Sequence, residues 1–161
     1  MGVLAIGATL TGCFDSPPLV AQTPDPGELP PYGAIGPEQA AAVLSLLGSE
    51  PDFVLIDIRT EPEVLEVHIP GAANVDYYAP SFEEIVAQLD PEQTYLIYCR
   101  TGNRTGRAYT MMVDHGLEKV YDLSGGITAW LDLGYPTCMG PLNAEHTCTG
   151  ELPFAWAGAD E

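Results

Sequence analysis

Tyr95-Leu96-Ile97-Tyr98-Cys99-Arg100-Thr101-Gly102-Asn103-Arg104-Thr105-Gly106-Arg107 passes from an apolar run, through a cysteine, into a polar segment with helical spacing. The four apolar residues read as a buried strand. From Asn103 to His115 the pattern predicts a helix, with Ala108, Met111 and Met112 on its apolar side and Gly116 closing it. Cys99 therefore stands at a strand-to-helix turn, where unpaired backbone N–H groups and the positive end of the helix dipole favour an anion. The same surroundings favour a thiolate over a thiol.

The charge distribution gives the turn more weight. The 161 residues carry 23 acidic and 5 basic side chains, a formal net charge of -18. Arg100, Arg104 and Arg107 are three of those five bases, and only Arg59 and Lys119 lie elsewhere. Such an acidic chain is not expected to bind nucleic acid or an anionic lipid surface. It repels small anions as well, unless a local basic site reverses the field.

Outward from the turn, strands and helices alternate. Phe53-Val54-Leu55-Ile56-Asp57-Ile58-Arg59 is nearly continuous in apolar residues, as a strand covered on both faces of a parallel sheet requires. A helix is expected from Pro37 to Leu47, and a short polar helix from Glu61 to Glu66. A short strand follows near Ala73 to Val75, then a helix from Phe82 to Leu89. Val120-Tyr121-Asp122-Leu123 reads as a strand and Gly126 to Leu133 as a helix carrying Trp130. This alternation predicts an α/β fold with a mainly parallel central sheet and helices on both faces. Ligands of such sheets sit at the carboxyl ends of strands, where Cys99 falls.

The flanks differ in composition. Residues 1–13 form a short apolar run ending in Leu10-Thr11-Gly12-Cys13, similar to a bacterial lipoprotein signal in which Cys13 becomes the lipidated N-terminus. No basic residue precedes the run, which is far shorter than the ~20 residues of a membrane span. From Phe14 onward six prolines by Pro31 predict a semi-extended tether over residues 14–34. The expectation is an exported protein of the bacterial cell envelope, held by a lipid anchor and facing the periplasm or the exterior.

Cys138 and Cys148 bracket a segment with Gly140, Pro141 and Asn143 that can turn back on itself, and in an oxidising compartment they are expected to form a disulfide. A metal site of Cys138, His146 and Cys148 is the competing reading. It lacks an evident fourth ligand, and its spacing fits no common zinc pattern. No metal and no cofactor is therefore expected.

Four separated stretches resemble the single-domain rhodanese-like sulfurtransferases. They are Asp57-Ile58-Arg59 with Glu63, His68-Ile69-Pro70-Gly71-Ala72 with Asn74, the loop Cys99 to Arg104, and Leu123-Ser124-Gly125-Gly126-Ile127 with Trp130. The resemblance covers a domain over residues 35–136 and leaves 137–161 as a C-terminal extension. It implies the rhodanese-like fold and a catalytic Cys99 that takes a sulfane sulfur from a small anionic donor and passes it to a thiophilic acceptor. Arg100, Thr101, Gly102, Asn103, Arg104 and Thr105 would bind the substrate, through backbone N–H groups and through the charges of Arg100 and Arg104. Related phosphatases and arsenate reductases have a C-x5-R loop, whereas Cys99 to Arg104 is C-x4-R. Asp57 and Arg59 are supporting candidates, as an ion pair beneath the loop. His68 is expected to satisfy local backbone groups. A second reading keeps the fold but makes it a non-catalytic persulfide carrier or a redox or protein-interaction module.

Overall fold

Leu55 and Ile56, and likewise Leu96 and Ile97, point to opposite sides of one sheet, and both sides are covered. The computed structural model describes residues 28–142 and 145–150. Cys13, the signal-like run and most of the tether lie outside the described residues. Five parallel strands run in the order β1-β5-β4-β2-β3: β1 is Gly33–Ile35, β2 Phe53–Asp57, β3 Ala73–Asn74, β4 Thr94–Tyr98 and β5 Val120–Leu123. Helices α1 (Pro37–Leu47), α2 (Glu61–Glu66), α3 (Phe82–Ala87), α4 (Asn103–Asp114) and α5 (Gly126–Asp132) connect or follow them. The expected α/β architecture is the observed one.

Two hydrophobic cores lie back to back across the sheet. On one face Leu55, Leu96, Tyr98 and Leu123 pack with Ala40, Val43 and Leu44 of α1 and Trp130 of α5. On the other, Ile56, Tyr95, Ile97 and Val120 pack with Phe82 and Val86 of α3 and with Ala108 and Met112 of α4. Cys99 continues the alternation of Tyr95 and Ile97, so its side chain falls on the α4 face.

Two boundaries differ notably from the sequence reading. The first strand starts at Gly33, inside the expected tether, and pairs Gly33–Ile35 with Tyr121–Leu123. Just ahead of it Pro30 is buried and accepts a hydrogen bond from the Tyr121 hydroxyl at 3.1 Å, while Tyr32 packs on the Tyr121 ring. Prolines break regular structure without preventing packing, so the tether reading fails for the residues just before the expected domain start. Strand β2 ends at Asp57 rather than Arg59, because the Asp57 carboxylate accepts the Arg59 N–H at 2.9 Å and turns the chain. The C-terminal segment forms an antiparallel hairpin of β6 (Thr137–Met139) and β7 (Thr147–Thr149), closed by the Cys138–Cys148 disulfide.

Candidate active site

Cys99 follows β4 directly, and the chain needs only Arg100, Thr101 and Gly102 to reach the first turn of α4. Gly102 adopts φ 94°, a left-handed conformation that costs glycine little and other residues more. That conformation aims its N–H at Cys99 Sγ, 3.2 Å away. The sulfur is nearly inaccessible, with Cys99 1% exposed. Burial pushes the thiol pKa up, but hydrogen bonding from the backbone at Thr105, Thr101, Arg104 and Gly102 outweighs it and holds the pKa below its ordinary value. A ring of N–H groups around one sulfur favours its anion, and it would favour the anion of a longer sulfur chain in the same way.

The loop is held from below by the turn between β5 and α5. Ile127 N–H donates to the Cys99 carbonyl at 2.9 Å, and Thr128 donates to the Arg100 carbonyl through its N–H at 3.1 Å and its hydroxyl at 2.9 Å. This approach requires glycine at 126. Its φ is 57°, and a Cβ there would lie 2.4 Å from the Cys99 carbonyl oxygen. The Ser124-Gly125-Gly126 turn is thus a structural clamp on the reactive loop.

The arginines divide into two kinds. Arg104 forms a two-point ion pair with Glu63, Nη1 to Oε2 at 2.8 Å and Nη2 to Oε1 at 2.7 Å. Glu63 also accepts the Thr60 N–H and hydroxyl at the start of α2, and chiefly through Arg104 its carboxyl is pushed down to about 2. The Arg104 pKa is raised, Glu63 being the main cause. Arg59 is buried in a pair with Asp57, Nη2 to Oδ2 at 2.6 Å, and donates further to the carbonyls of Glu63 and Val67. Asn74 ties the same strand end through the Asp57 and Arg59 carbonyls, each at 2.8 Å. Arg100 is exposed and, among the described residues, has no acidic partner. The sequence reading has Arg100 and Arg104 acting alike on an anion. In the structure Arg104 is engaged by Glu63, and Arg100 is the open charge.

A cavity of about 240 Å³ opens beside the loop, with Arg100, Thr128, Arg59 and Glu63 among its lining residues. Asn103 is exposed at the start of α4, its amide 3.5 Å from the Thr101 hydroxyl. Thr105 is buried; its hydroxyl lies 3.8 Å from Cys99 Sγ and donates to the Gly102 carbonyl at 3.0 Å.

Residues 39–133 match the rhodanese-like domain family. The chain belongs to that family. A sulfurtransferase of Allochromatium vinosum is 31% identical over 90 residues, covering 56% of this chain and 82% of that protein. The protein named thiosulfate sulfurtransferase GlpE of Pseudomonas fluorescens is 31% identical over 99 residues, covering 62% of this chain and 84% of its own. The fold is shared with a rhodanese-related protein of Thermoplasma volcanium, with a TM-score of 0.55 at 24% identity over 70% of this chain and 100% of that one. The rhodanese-like domain of Anabaena Alr3790 superposes with a TM-score of 0.56 at 23% identity, over 78% and 90%.

In this rhodanese-like domain one neighbour of the loop escaped the sequence reading. Asp122 is buried on β5, and burial raises its pKa. Its signal was a lone carboxylate in an otherwise apolar strand. His68 is fully buried, its Nδ1 donating to the Val64 carbonyl at 3.0 Å, and burial chiefly lowers its pKa. It serves the backbone next to α2.

Proposed function

We propose that the protein is a sulfurtransferase that carries sulfur on Cys99, with a thiosulfate-like anion as donor. The Cys99 thiolate attacks the outer sulfur of thiosulfate, the S–S bond of the donor breaks, and sulfite leaves with the bonding electron pair. The terminal sulfur of the resulting persulfide is then attacked by a thiophilic nucleophile, such as cyanide or a thiolate. That step breaks the new S–S bond and returns Cys99 as thiolate. The observation carrying this reading is the Gly102 N–H at 3.2 Å from Sγ, within a set of loop amides that lowers the thiol pKa. These donors stabilise the thiolate at the start and the persulfide anion in the middle of the cycle. Arg100 draws the donor against the net charge of the chain, and Thr101, Asn103 and Thr105 border the same loop.

A thiosulfate:cyanide assay tests the proposal, with turnover expected for the wild type and a fall to background for Cys99→Ala. One observation favours a second reading, in which the domain holds a persulfide for a protein partner. Glu63 neutralises Arg104, so of Arg100 and Arg104 only Arg100 is left open to a dianionic donor. Persulfide formation from a protein donor without thiosulfate turnover selects that carrier role.

We also infer lipidation at Cys13, a tether from residue 14 to the start of the folded domain, and a place in the bacterial cell envelope. The support is the Leu10-Thr11-Gly12-Cys13 pattern followed by the proline-rich stretch. Intact mass of the mature protein from its native host reads cleavage and acylation together.

A further inference from the structure

The hairpin that closes the chain sits against His68, in a cluster that the sulfur chemistry does not use. His68 and Cys138 exchange backbone hydrogen bonds in both directions, each at 2.8 Å, so the fold sets these residues side by side although seventy positions separate them in the sequence. One ligand atom each from His68, Cys138 and His146 lies within 4.8 Å of the other two. Cys148 Sγ is bonded to Cys138 Sγ and completes a group of two sulfurs and two imidazoles.

Two observations point to a cation here. Nδ1 of His68 donates to the Val64 carbonyl, which places the lone pair on Nε2, and Nε2 is buried with no hydrogen-bond partner. A histidine ligand is commonly held in this way, by a carbonyl on its far nitrogen. Nδ1 of His146 is a second buried nitrogen with no partner, and the two rings meet edge to face at 5.7 Å. The lone pair on Nε2 of His68 thus lies in one cluster with Cys138 Sγ and a second unpartnered ring nitrogen. Spacing alone offered three ligands at this hairpin; the fold supplies His68 as the fourth.

We propose that His68, Cys138, His146 and Cys148 form a redox-gated site for a tetrahedral divalent cation of the zinc type, open only when the disulfide is reduced. A dithiol reductant transfers two electrons and two protons to the Cys138–Cys148 bond, giving two thiols and the reductant's own disulfide. The cation then displaces the two thiol protons and binds both thiolates and both imidazole nitrogens. Tetrahedral zinc places sulfur and nitrogen ligands about 3.3–3.8 Å apart. The sulfurs must therefore separate from their bonded distance, and the nitrogens must move slightly inward. Strand β7 is exposed along its length, so Cys148 has room to withdraw. A disulfide oxidant reverses the step: the two thiolates give up two electrons as the Cys138–Cys148 bond closes, the oxidant's S–S bond breaks to give two thiolates that take up protons from water, and the ion is expelled.

The test uses the full chain carrying Cys13→Ser and Cys99→Ser, in which Cys138 and Cys148 are the only cysteines. The protein is reduced with a dithiol, desalted without oxygen and titrated with Co²⁺ as a spectroscopic probe, then with Zn²⁺ in competition. One equivalent of Co²⁺ with tetrahedral ligand-field and thiolate charge-transfer bands is expected, displaced by Zn²⁺ and absent from the oxidised protein. His146→Ala should weaken uptake at least tenfold and shift the bands. His68→Gln should do the same where its circular dichroism shows a folded chain, and the half-buried His146 decides the matter if it does not. No stoichiometric uptake by the folded, reduced protein overturns the proposal. So does uptake with unchanged affinity and spectrum in His146→Ala.

Discussion

Sulfur occurs in two settings in this molecule, and their surroundings are opposite in kind. Cys99 is encircled by N–H donors and a helix N-terminus, which stabilise negative charge on sulfur. Cys138, bonded to Cys148, is clustered with His68 and His146, whose buried unpartnered ring nitrogens suit a cation or a bonded, uncharged sulfur pair. The loop is built on central strand β4 and clamped by α5, whereas the hairpin meets the domain through the bridge to His68. Donors around a sulfur make a nucleophile, and acceptors around a sulfur make a staple or a ligand.

The comparison breaks most readily at the clamp. Gly126→Ala forces a Cβ onto the Cys99 carbonyl at an unfavourable φ and should cost about 2–4 kcal/mol, read as a lowered thermal midpoint, with a steep fall in any transfer rate. Cys138→Ser with Cys148→Ser should cost roughly 2–3 kcal/mol in chemical denaturation, the value of a short closed loop, yet leave sulfur transfer near wild type. Equal losses of activity in the two variants would erase the functional division between loop and hairpin.

Smaller effects separate the arginines. Glu63 titrates at about 2 in the folded chain and near 4.5 when unfolded, so its contribution is present above pH 4.5. It should drain away as pH falls from about 4.5 towards 2, and Glu63→Gln should flatten that part of the stability–pH curve. Arg104→Ala should destabilise the domain by roughly 1–3 kcal/mol, since Glu63 loses its charged partner. Arg100→Ala should leave stability unchanged and raise KM for thiosulfate about fivefold, the effect of a single exposed charge of about 1 kcal/mol. The reverse assignment of these two arginines would show that the open charge has been misplaced.

The features legible in the sequence are those carried by neighbouring residues. Tyr95 to Tyr98 had to be apolar throughout because both faces of β4 are covered, and the cysteine, the glycine and the helix start follow within a few positions. What stayed hidden depends on contacts that only the topology creates. Glu63 reaches Arg104 across 41 positions, and His68 meets Cys138 through the bridge to the hairpin. Strand β1 is too short to show a period, and Gly33–Ile35 becomes a strand only because β5 offers it an edge. Asp122 was concealed by the opposite effect, since a single carboxylate hardly disturbs an apolar run.

The central claim is that Cys99 holds a transferable sulfur, and intact mass spectrometry after incubation with thiosulfate tests it most directly. The account predicts a gain of one sulfur atom in the wild type, removed by cyanide and absent in Cys99→Ser. An unchanged wild-type mass, or the same gain in Cys99→Ser, would contradict it.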